Sequence, residues 1–252
     1  MLFRSLTAAL LIAGSLAVPL SAAHAQEDQP LTQKQQDAVK KLVHDYIMEN
    51  PTVITDAIEA LRQKEELAAE ASSKRAIVER HADIFEDPES PVIGNPKGDV
   101  TVVEFFDYRC SYCKAMSDLV FDTVKSDGKV RLVMKEFPIL GPDSVTAARA
   151  ALAARNQKKY EEFHRALMKM KGPMNEATIM KTAAEAGLNV ERLKKDMEDD
   201  KIDTVLKNNI QLAHVLDISG TPGFIIGDQV TPGAMNQQAL KQMIDQARKP
   251  KS

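Results

Sequence analysis

A strand–helix–strand pattern over residues 100–137 constrains the fold of this chain more than any other feature. Residues 100–106 (V-T-V-V-E-F-F) have the β-branched and aromatic composition of a buried strand, and residues 130–137 form a second such run. Between them, from residue 110 to about residue 125, apolar side chains recur at helical spacing. Two strands joined through a helix lie parallel, with a right-handed crossover. The sequence therefore predicts an α/β fold.

The chain returns to strand character only after a long helical tract. Residues 143–216 read as helical throughout, with a dense run of alanine near their start. Strand composition reappears at residues 223–226 and around Val230, and a last helix is expected over residues 236–248. The sequence thus predicts a helical block placed between strands of one sheet.

The chain contains two cysteines, Cys110 and Cys113, where the predicted helix begins. A disulfide between them would close a very small loop. It would lower the conformational entropy of the unfolded chain too little to be a useful structural disulfide. The free N–H groups and dipole of a helix start favour the thiolate form of Cys110, which is the form that attacks disulfides. Cys113 lies one turn later, within reach of the sulfur of Cys110. The spacing therefore predicts a redox pair in which Cys110 attacks and Cys113 resolves.

A metal site is the alternative interpretation of the cysteine pair. Structural zinc needs about four ligands, and the sequence has no second Cys-x-x-Cys. Beyond the N-terminal leader, the histidines show no ligand-like clustering: His44, His81, His164 and His214. We favour redox chemistry without a cofactor and expect no structural metal, while Cu(I) binding by the two thiolates stays open.

Residues 1–25 have the pattern of a cleaved secretory signal. Arg4 supplies a basic start, residues 6–20 form a short apolar run, and Ala23-His24-Ala25 fits the small-x-small cleavage site. A membrane anchor is the alternative, but the run is short for a span of about 20 residues. We expect a soluble periplasmic protein. Its net charge of −3 gives no indication of a nucleic-acid partner.

Residues 26–89 form a separate helical segment and linker. One helix carries an apolar stripe that includes Val39, Leu42 and Tyr46; Asn50-Pro51 interrupts it, and a second helix runs to about residue 80. A helix of roughly 45 Å with so thin a stripe is hard to bury against one small domain. We expect homo-oligomerisation, as a dimer or trimer, through residues 26–80. The alternative is a surface helix lying on its own domain.

Three segments give the chain a resemblance to the DsbA-like thiol–disulfide oxidoreductases: V-V-E-F-F-D-Y-R-C-S-Y-C, M-K-E-F-P-I-L-G and S-G-T-P-G-F-I-I-G. The resemblance implies a thioredoxin fold with an inserted helical domain, here at about residues 143–216. It places this domain at residues 90–252, preceded by an N-terminal α-helical stalk. The α/β pattern described above agrees with that architecture.

The resemblance also assigns site residues. It implies a cis-proline facing the cysteines at Thr221-Pro222, where the backbone of Thr221 pairs with an extended substrate strand. It implies a buried acid, Glu104, and a lysine, Lys135, on neighbouring strands below the active site. Glu104 is expected to relay protons to and from Cys113. The alternatives are an ordinary Thr-Pro turn and a purely structural ion pair.

The N-terminal segment, with D-Y-I-M-E-N-P leading into a long helix, resembles the ScsC-like branch, the suppressor of copper sensitivity proteins. Members of that branch can oligomerise through such helices and act on wrong disulfides. Ser111 and Tyr112, between the cysteines, depart from the Pro-His of typical DsbA oxidases and are expected to contact substrate.

Three functions follow from the sequence as hypotheses. The first is a disulfide isomerase or reductase that acts on exported cysteine-containing proteins and is kept reduced by a membrane redox partner. The second is a dithiol oxidase that donates disulfides to such proteins. The third is a copper-binding protein in which Cys110 and Cys113 are ligands.

Overall fold

The structure, a computed structural model, describes residues 30–249. The signal predicted at residues 1–25 lies outside the described residues. Contacts along the chain divide it into two compact units, the first ending at Glu59 and the second beginning at Ala60.

Two helices account for most of the described N-terminal segment. Helix α1 spans Gln33–Glu49 and begins with a capping box, in which the side chains and backbones of Thr32 and Gln35 bond reciprocally. Asn50 and Pro51 separate it from helix α2, Thr52–Glu79. The two helices predicted from the sequence are confirmed.

The second unit is built on a five-stranded sheet with the strand order β1-β3-β2-β4-β5. Strands β2 and β3 pair in parallel at its centre, and the other neighbours pair antiparallel. The strands are β1 Val92–Gly94, β2 Val100–Phe106, β3 Val130–Glu136, β4 Gly223–Ile226 and β5 Gln229–Pro232. The parallel pair predicted from the sequence is confirmed.

Helix α4, Ser111–Asp127, makes the crossover between β2 and β3. It ends at Gly128, whose φ of 72° is a left-handed C-cap conformation. Five α-helices and one 3₁₀ turn then lie between β3 and β4, as predicted. They are α5 Pro142–Ala153, the 3₁₀ turn Ala154–Gln157, α6 Tyr160–Lys169, α7 Glu176–Glu185, α8 Val190–Asp196 and α9 Asp200–Val215. Helix α3, His81–Phe85, precedes the sheet, and helix α10, Gln237–Ala247, follows it.

Alternate residues of β2 face two different parts of the core. Val102 and Phe106 belong to the cluster that contains both cysteines and the helical insertion. Val103 and Phe105 belong to a second cluster on the opposite face. No helix within residues 30–249 is long and apolar enough to cross a bilayer.

The second cluster corrects the domain boundary predicted at residue 89. Ala76, Ile77 and Ile84, assigned from the sequence to the N-terminal segment, are buried in the same cluster as Val103 and Phe105. The end of α2 and helix α3 therefore contribute these three side chains to the core of the second unit. The composition around residue 88 is typical of a linker, so the sequence placed the boundary there. Burial of the residues before it depends on packing partners that lie far along the chain.

Candidate redox-active site

Cys110 is the N-cap residue of helix α4. Its sulfur accepts a hydrogen bond from the backbone N–H of Cys113, at 3.4 Å. A sulfur in this position lies against the unsatisfied N–H groups of the first helical turn, where negative charge is stabilised. Both cysteines are free thiols, so the structure is that of the reduced form.

Cys113 lies one turn into the helix and is fully buried. Burial raises the pKa of its thiol, and Glu104 adds to the same shift when its carboxyl is ionised. Cys113 therefore keeps its proton at neutral pH. Its attack on a mixed disulfide requires a base that removes this proton.

The segment before β4 brings a backbone carbonyl to Cys110. The Thr221-Pro222 peptide bond is cis, as the resemblance implies. The thiol of Cys110 donates a hydrogen bond to the carbonyl oxygen of Thr221, at 3.2 Å. An extended substrate that paired with the backbone of Thr221 would therefore pass directly beside the attacking sulfur.

Ser111 and Tyr112 occupy the exposed side of the first turn of α4. The side chain of Tyr112 is 66% exposed, which is high for an aromatic residue next to a nearly buried sulfur. A tyrosine in this position offers apolar contact area together with a hydrogen-bonding hydroxyl.

Glu104 lies on β2, on the face that carries Val102 and Phe106, and so on the same side of the sheet as Cys113. It is only 3% exposed, and loss of contact with water is the cause of its pKa shift. Burial raises its pKa to about 8. A carboxyl with that pKa holds a proton at neutral pH and can release or accept it when Cys113 reacts.

Lys135 does not lie below the active site with Glu104, so that inference from the resemblance is wrong. In the parallel register Lys135 pairs with Phe105, which places its side chain on the opposite face of the sheet. Its ammonium group donates to the carboxylate of Asp87, at 2.8 Å, and to the carbonyl oxygen of Asp83, at 2.7 Å. A structural ion pair therefore exists, but its acid is Asp87.

Asp107 holds the turn that leads into α4, a role that the sequence analysis missed. One carboxylate oxygen accepts from the N–H of Arg109 and the hydroxyl of Ser144, at 2.7 and 2.8 Å. The other accepts from the N–H of Leu140, at 2.9 Å. The local signal was an aspartate shortly before a helix start, which commonly bonds the backbone two residues on.

A second buried acid, Glu136, was also missed. It ends β3 and accepts hydrogen bonds from the hydroxyls of Tyr108 and Tyr160. His164 is buried beside them.

A thiol at a helix start, a buried partner thiol one turn later, and a facing backbone carbonyl define a dithiol centre for disulfide exchange. A family model described as thioredoxin matches residues 86–246, and one described as the copper resistance protein ScsC N-terminal domain matches residues 35–68. The chain belongs to the thioredoxin family, and it is a thiol–disulfide oxidoreductase of the ScsC and DsbA type. The predicted thioredoxin fold with an inserted helical domain and an N-terminal helical segment is confirmed.

Solved structures and curated proteins agree with this assignment. A thioredoxin-like oxidoreductase from Silicibacter pomeroyi is 48% identical, with a TM-score of 0.66 over 68% of this chain and 98% of that one. A linker-deletion variant of ScsC from Proteus mirabilis is 27% identical, with a TM-score of 0.67 over 87% of this chain and 98% of that one.

Among the curated relatives, the probable disulfide bond formation protein D of Bacillus anthracis is 27% identical over 62% of this chain and 77% of its own length. Na⁺/H⁺ antiporters of Salinispora and Mycobacterium species also match, at 27% identity. The chain spans only about a quarter of the length of those antiporters.

Proposed function

We propose that this protein is a periplasmic disulfide isomerase or reductase that acts, as an oligomer, on exported proteins with wrong disulfides. The thiolate of Cys110 attacks one sulfur of a substrate disulfide. That S–S bond breaks, the other substrate sulfur leaves as a thiolate, and a mixed disulfide with Cys110 forms.

Two routes then release the substrate. In isomerisation, another substrate thiolate attacks the mixed disulfide, and Cys110 leaves as a thiolate. In reduction, Cys113 gives its proton to a base, attacks the sulfur of Cys110 and expels the substrate thiolate. Glu104 is the base that the geometry supports, because it lies on the same face of the sheet, and with a pKa of about 8 the ionised minority of its carboxyl can take this proton at neutral pH. The resulting Cys110–Cys113 disulfide must be reduced by a membrane redox partner.

The exposed surface around Cys110 supports a protein substrate. The carbonyl of Thr221 offers a hydrogen-bonding position beside the sulfur, and Pro222 precedes the first residue of β4. Ser111 and Tyr112 provide an exposed polar and aromatic contact on the other side of Cys110. Such a surface suits an unfolded segment, whose backbone and apolar side chains are both accessible.

A row of exposed apolar side chains on α1 and α2 is the observation that favours an oligomeric isomerase over a monomeric dithiol protein. Val39, Leu42, Val43 and Tyr46 share one side of α1, and Leu42 is 68% exposed. Ile54, Ile58 and Leu61 continue the exposed apolar side chains along α2. Exposed apolar side chains that recur on one side of a helix, as they do on α1, indicate an association site. Copies of this chain joined there would present several Cys110 thiols to one substrate.

A matched pair of full-length variants tests this proposal. Leu42→Lys places a charge in the exposed apolar row, whereas His44→Lys places one on the opposite side of the same helix, since about 3.6 residues make a turn. We expect Leu42→Lys to lower the solution mass and the recovery of activity from a scrambled, fully oxidised substrate. His44→Lys should do neither. Unchanged isomerisation by a monomeric Leu42→Lys protein would refute the oligomeric mechanism.

A dithiol oxidase is the second candidate, because Bacillus relatives are named disulfide bond formation proteins. The equilibrium reduction potential of the Cys110–Cys113 pair separates the two. A value near the −120 mV of strong oxidants favours the oxidase, and a value near the −270 mV of thioredoxin favours a reductase.

Copper binding is the third candidate, because the family model that matches residues 35–68 is described as the N-terminal domain of a copper resistance protein. Tight Cu(I) binding that is lost in Cys110→Ser, together with no turnover of any disulfide substrate, would favour it.

A further inference from the structure

A buried polar network joins the active-site turn to the helical insertion, and the exchange mechanism above does not use it. The hydroxyls of Tyr108 and Tyr160 each donate to the same oxygen of Glu136, at 2.9 Å. Tyr108 lies two residues before Cys110. Tyr160 begins α6, within the insertion, and Glu136 ends β3.

His164 completes the network. Its Nδ1 atom lies 3.0 Å from the hydroxyl oxygen of Tyr108. Burial lowers the pKa of His164 to about 3, so the ring is neutral. Tyr108 has a single hydroxyl hydrogen, which it donates to Glu136. Nδ1 must therefore carry the ring hydrogen that it gives to Tyr108. The imidazole also packs edge-on against Phe106, with ring centroids 4.9 Å apart.

The second oxygen of Glu136 is buried and has no hydrogen-bond partner among the described residues. An ionised carboxylate with one bare oxygen is costly in such a place. Burial raises the pKa of Glu136 well above its usual range, although both tyrosine hydroxyls act in the opposite direction. Burial thus favours the protonated form of Glu136, while Oε1 accepts from both tyrosines.

Asp107 and Tyr108 fasten the turn before Cys110 to different partners. The carboxylate of Asp107 bonds Leu140 and Ser144, near the start of α5. The hydroxyl of Tyr108 bonds Glu136 and contacts His164 in the neighbouring core. The conformation held between them is the one in which Cys110 caps α4 and accepts from the N–H of Cys113.

We propose that Glu136 is a positioning residue for Cys110: by accepting the hydrogen bond of Tyr108, its carboxyl fixes the turn that presents Cys110 to the start of α4. From the insertion, His164 contacts the hydroxyl of Tyr108, whereas Tyr160 donates to Glu136 and is not part of the turn. The proposal rests on disulfide exchange at Cys110 and is independent of whether the protein reduces, isomerises or oxidises.

Two variants separate a positioning effect from a loss of stability. Each deletes one of the two tyrosine hydroxyls that donate to the same oxygen of Glu136. Tyr108→Phe and Tyr160→Phe each delete a 2.9 Å bond to Glu136, but only Tyr108 belongs to the turn before Cys110. The readout is the rate constant for reaction of the reduced full-length protein with glutathione disulfide, followed from pH 5 to 9. We expect Tyr108→Phe to lower the rate constant at pH 7 by about fivefold, the equivalent of one hydrogen bond. The midpoint of the pH profile should also move upward.

Tyr160→Phe should stay within about twofold of the wild type at every pH, although thermal unfolding shows a similar loss of stability in both variants. An unchanged profile for Tyr108→Phe, or an equal change in both variants, would overturn the proposal. Neither result would bear on the isomerase assay, so failure here is distinguishable from failure of the proposed function.

A second pair of variants changes Glu136 itself. Glu136→Gln keeps an oxygen that accepts from both tyrosines and adds no charge, so its profile should match the wild type. Glu136→Leu removes the acceptor and should reproduce the slower exchange of Tyr108→Phe. If Glu136→Gln were as slow as Glu136→Leu, an acceptor oxygen at this position would not be enough, and the positioning role would be wrong.

Discussion

The sulfur of Cys110 lies 3.2 Å from the carbonyl oxygen of Thr221, although 111 positions separate the two residues in the sequence. This contact brings the start of helix α4 against the segment that enters β4. The attacking sulfur and a hydrogen-bonding position for substrate backbone therefore lie side by side before any substrate arrives.

The buried carboxyl of Glu104 gives the first prediction. Its pKa is about 8 in the folded protein and about 4.5 in the unfolded chain. Between these values only the folded protein holds the proton, so stability falls as pH rises. Glu104→Gln should remove this loss and be more stable than the wild type by a few kcal/mol at pH 8, with little difference at pH 4. Urea unfolding of both reduced proteins at the two pH values measures it.

The same substitution should slow the resolving step at neutral pH, because Cys113 would lose its base. Release of a bound substrate thiol from the mixed disulfide, followed by quenched flow, should fall by about tenfold or more. Equal stability differences at pH 4 and pH 8 would show that Glu104 is not held protonated.

The carboxylate of Asp107 gives the second prediction. Asp107→Ala leaves the N–H groups of Arg109 and Leu140 and the hydroxyl of Ser144 without their acceptor. We expect a loss of about 2–4 kcal/mol in the free energy of unfolding, since buried donors without partners are costly. Ser144→Ala removes one of the three donors and should cost about 1 kcal/mol. Denaturant titration compares them, and equal losses would contradict the shared role of Asp107.

The Lys135–Asp87 ion pair gives the third prediction, which concerns the opposite face of the sheet. Lys135 is 1% exposed, so Asp87→Ala leaves a buried ammonium without its carboxylate. The free energy of unfolding should fall by about 3 kcal/mol, while Lys135→Met, which removes the charge itself, should cost far less. Both variants should exchange with glutathione disulfide at the wild-type rate. Slower exchange in Lys135→Met would show that Lys135 contributes to the chemistry at the active site and would contradict this prediction.

Local patterns in the sequence are enough to predict most strands and helices of the fold. The strands around residues 100–106 and 130–137, the helix beginning at Cys110 and the inserted helical block follow from periodicity and composition, which are properties of neighbouring residues. Strand β1 was not predicted, because three residues are too few to show a period.

The other errors concern which side chains pack together. Lys135 and Glu104 lie on adjacent strands, but one step in register decides which face each side chain occupies. Glu136, Tyr160 and His164 meet only because the insertion packs against the end of β3. No spacing in the sequence encodes that contact.

In the proposed mechanism, Cys110 is the sulfur that captures substrate and Cys113 is the one that releases it. The direct test incubates reduced Cys113→Ala and Cys110→Ala proteins with a disulfide-bonded peptide, then locates the adduct by mass spectrometry of the digested protein. We predict a stable mixed disulfide on Cys110 in the first variant and almost none in the second. A mixed disulfide that forms as fast on Cys113 in the Cys110→Ala protein would contradict the assignment of the two cysteines.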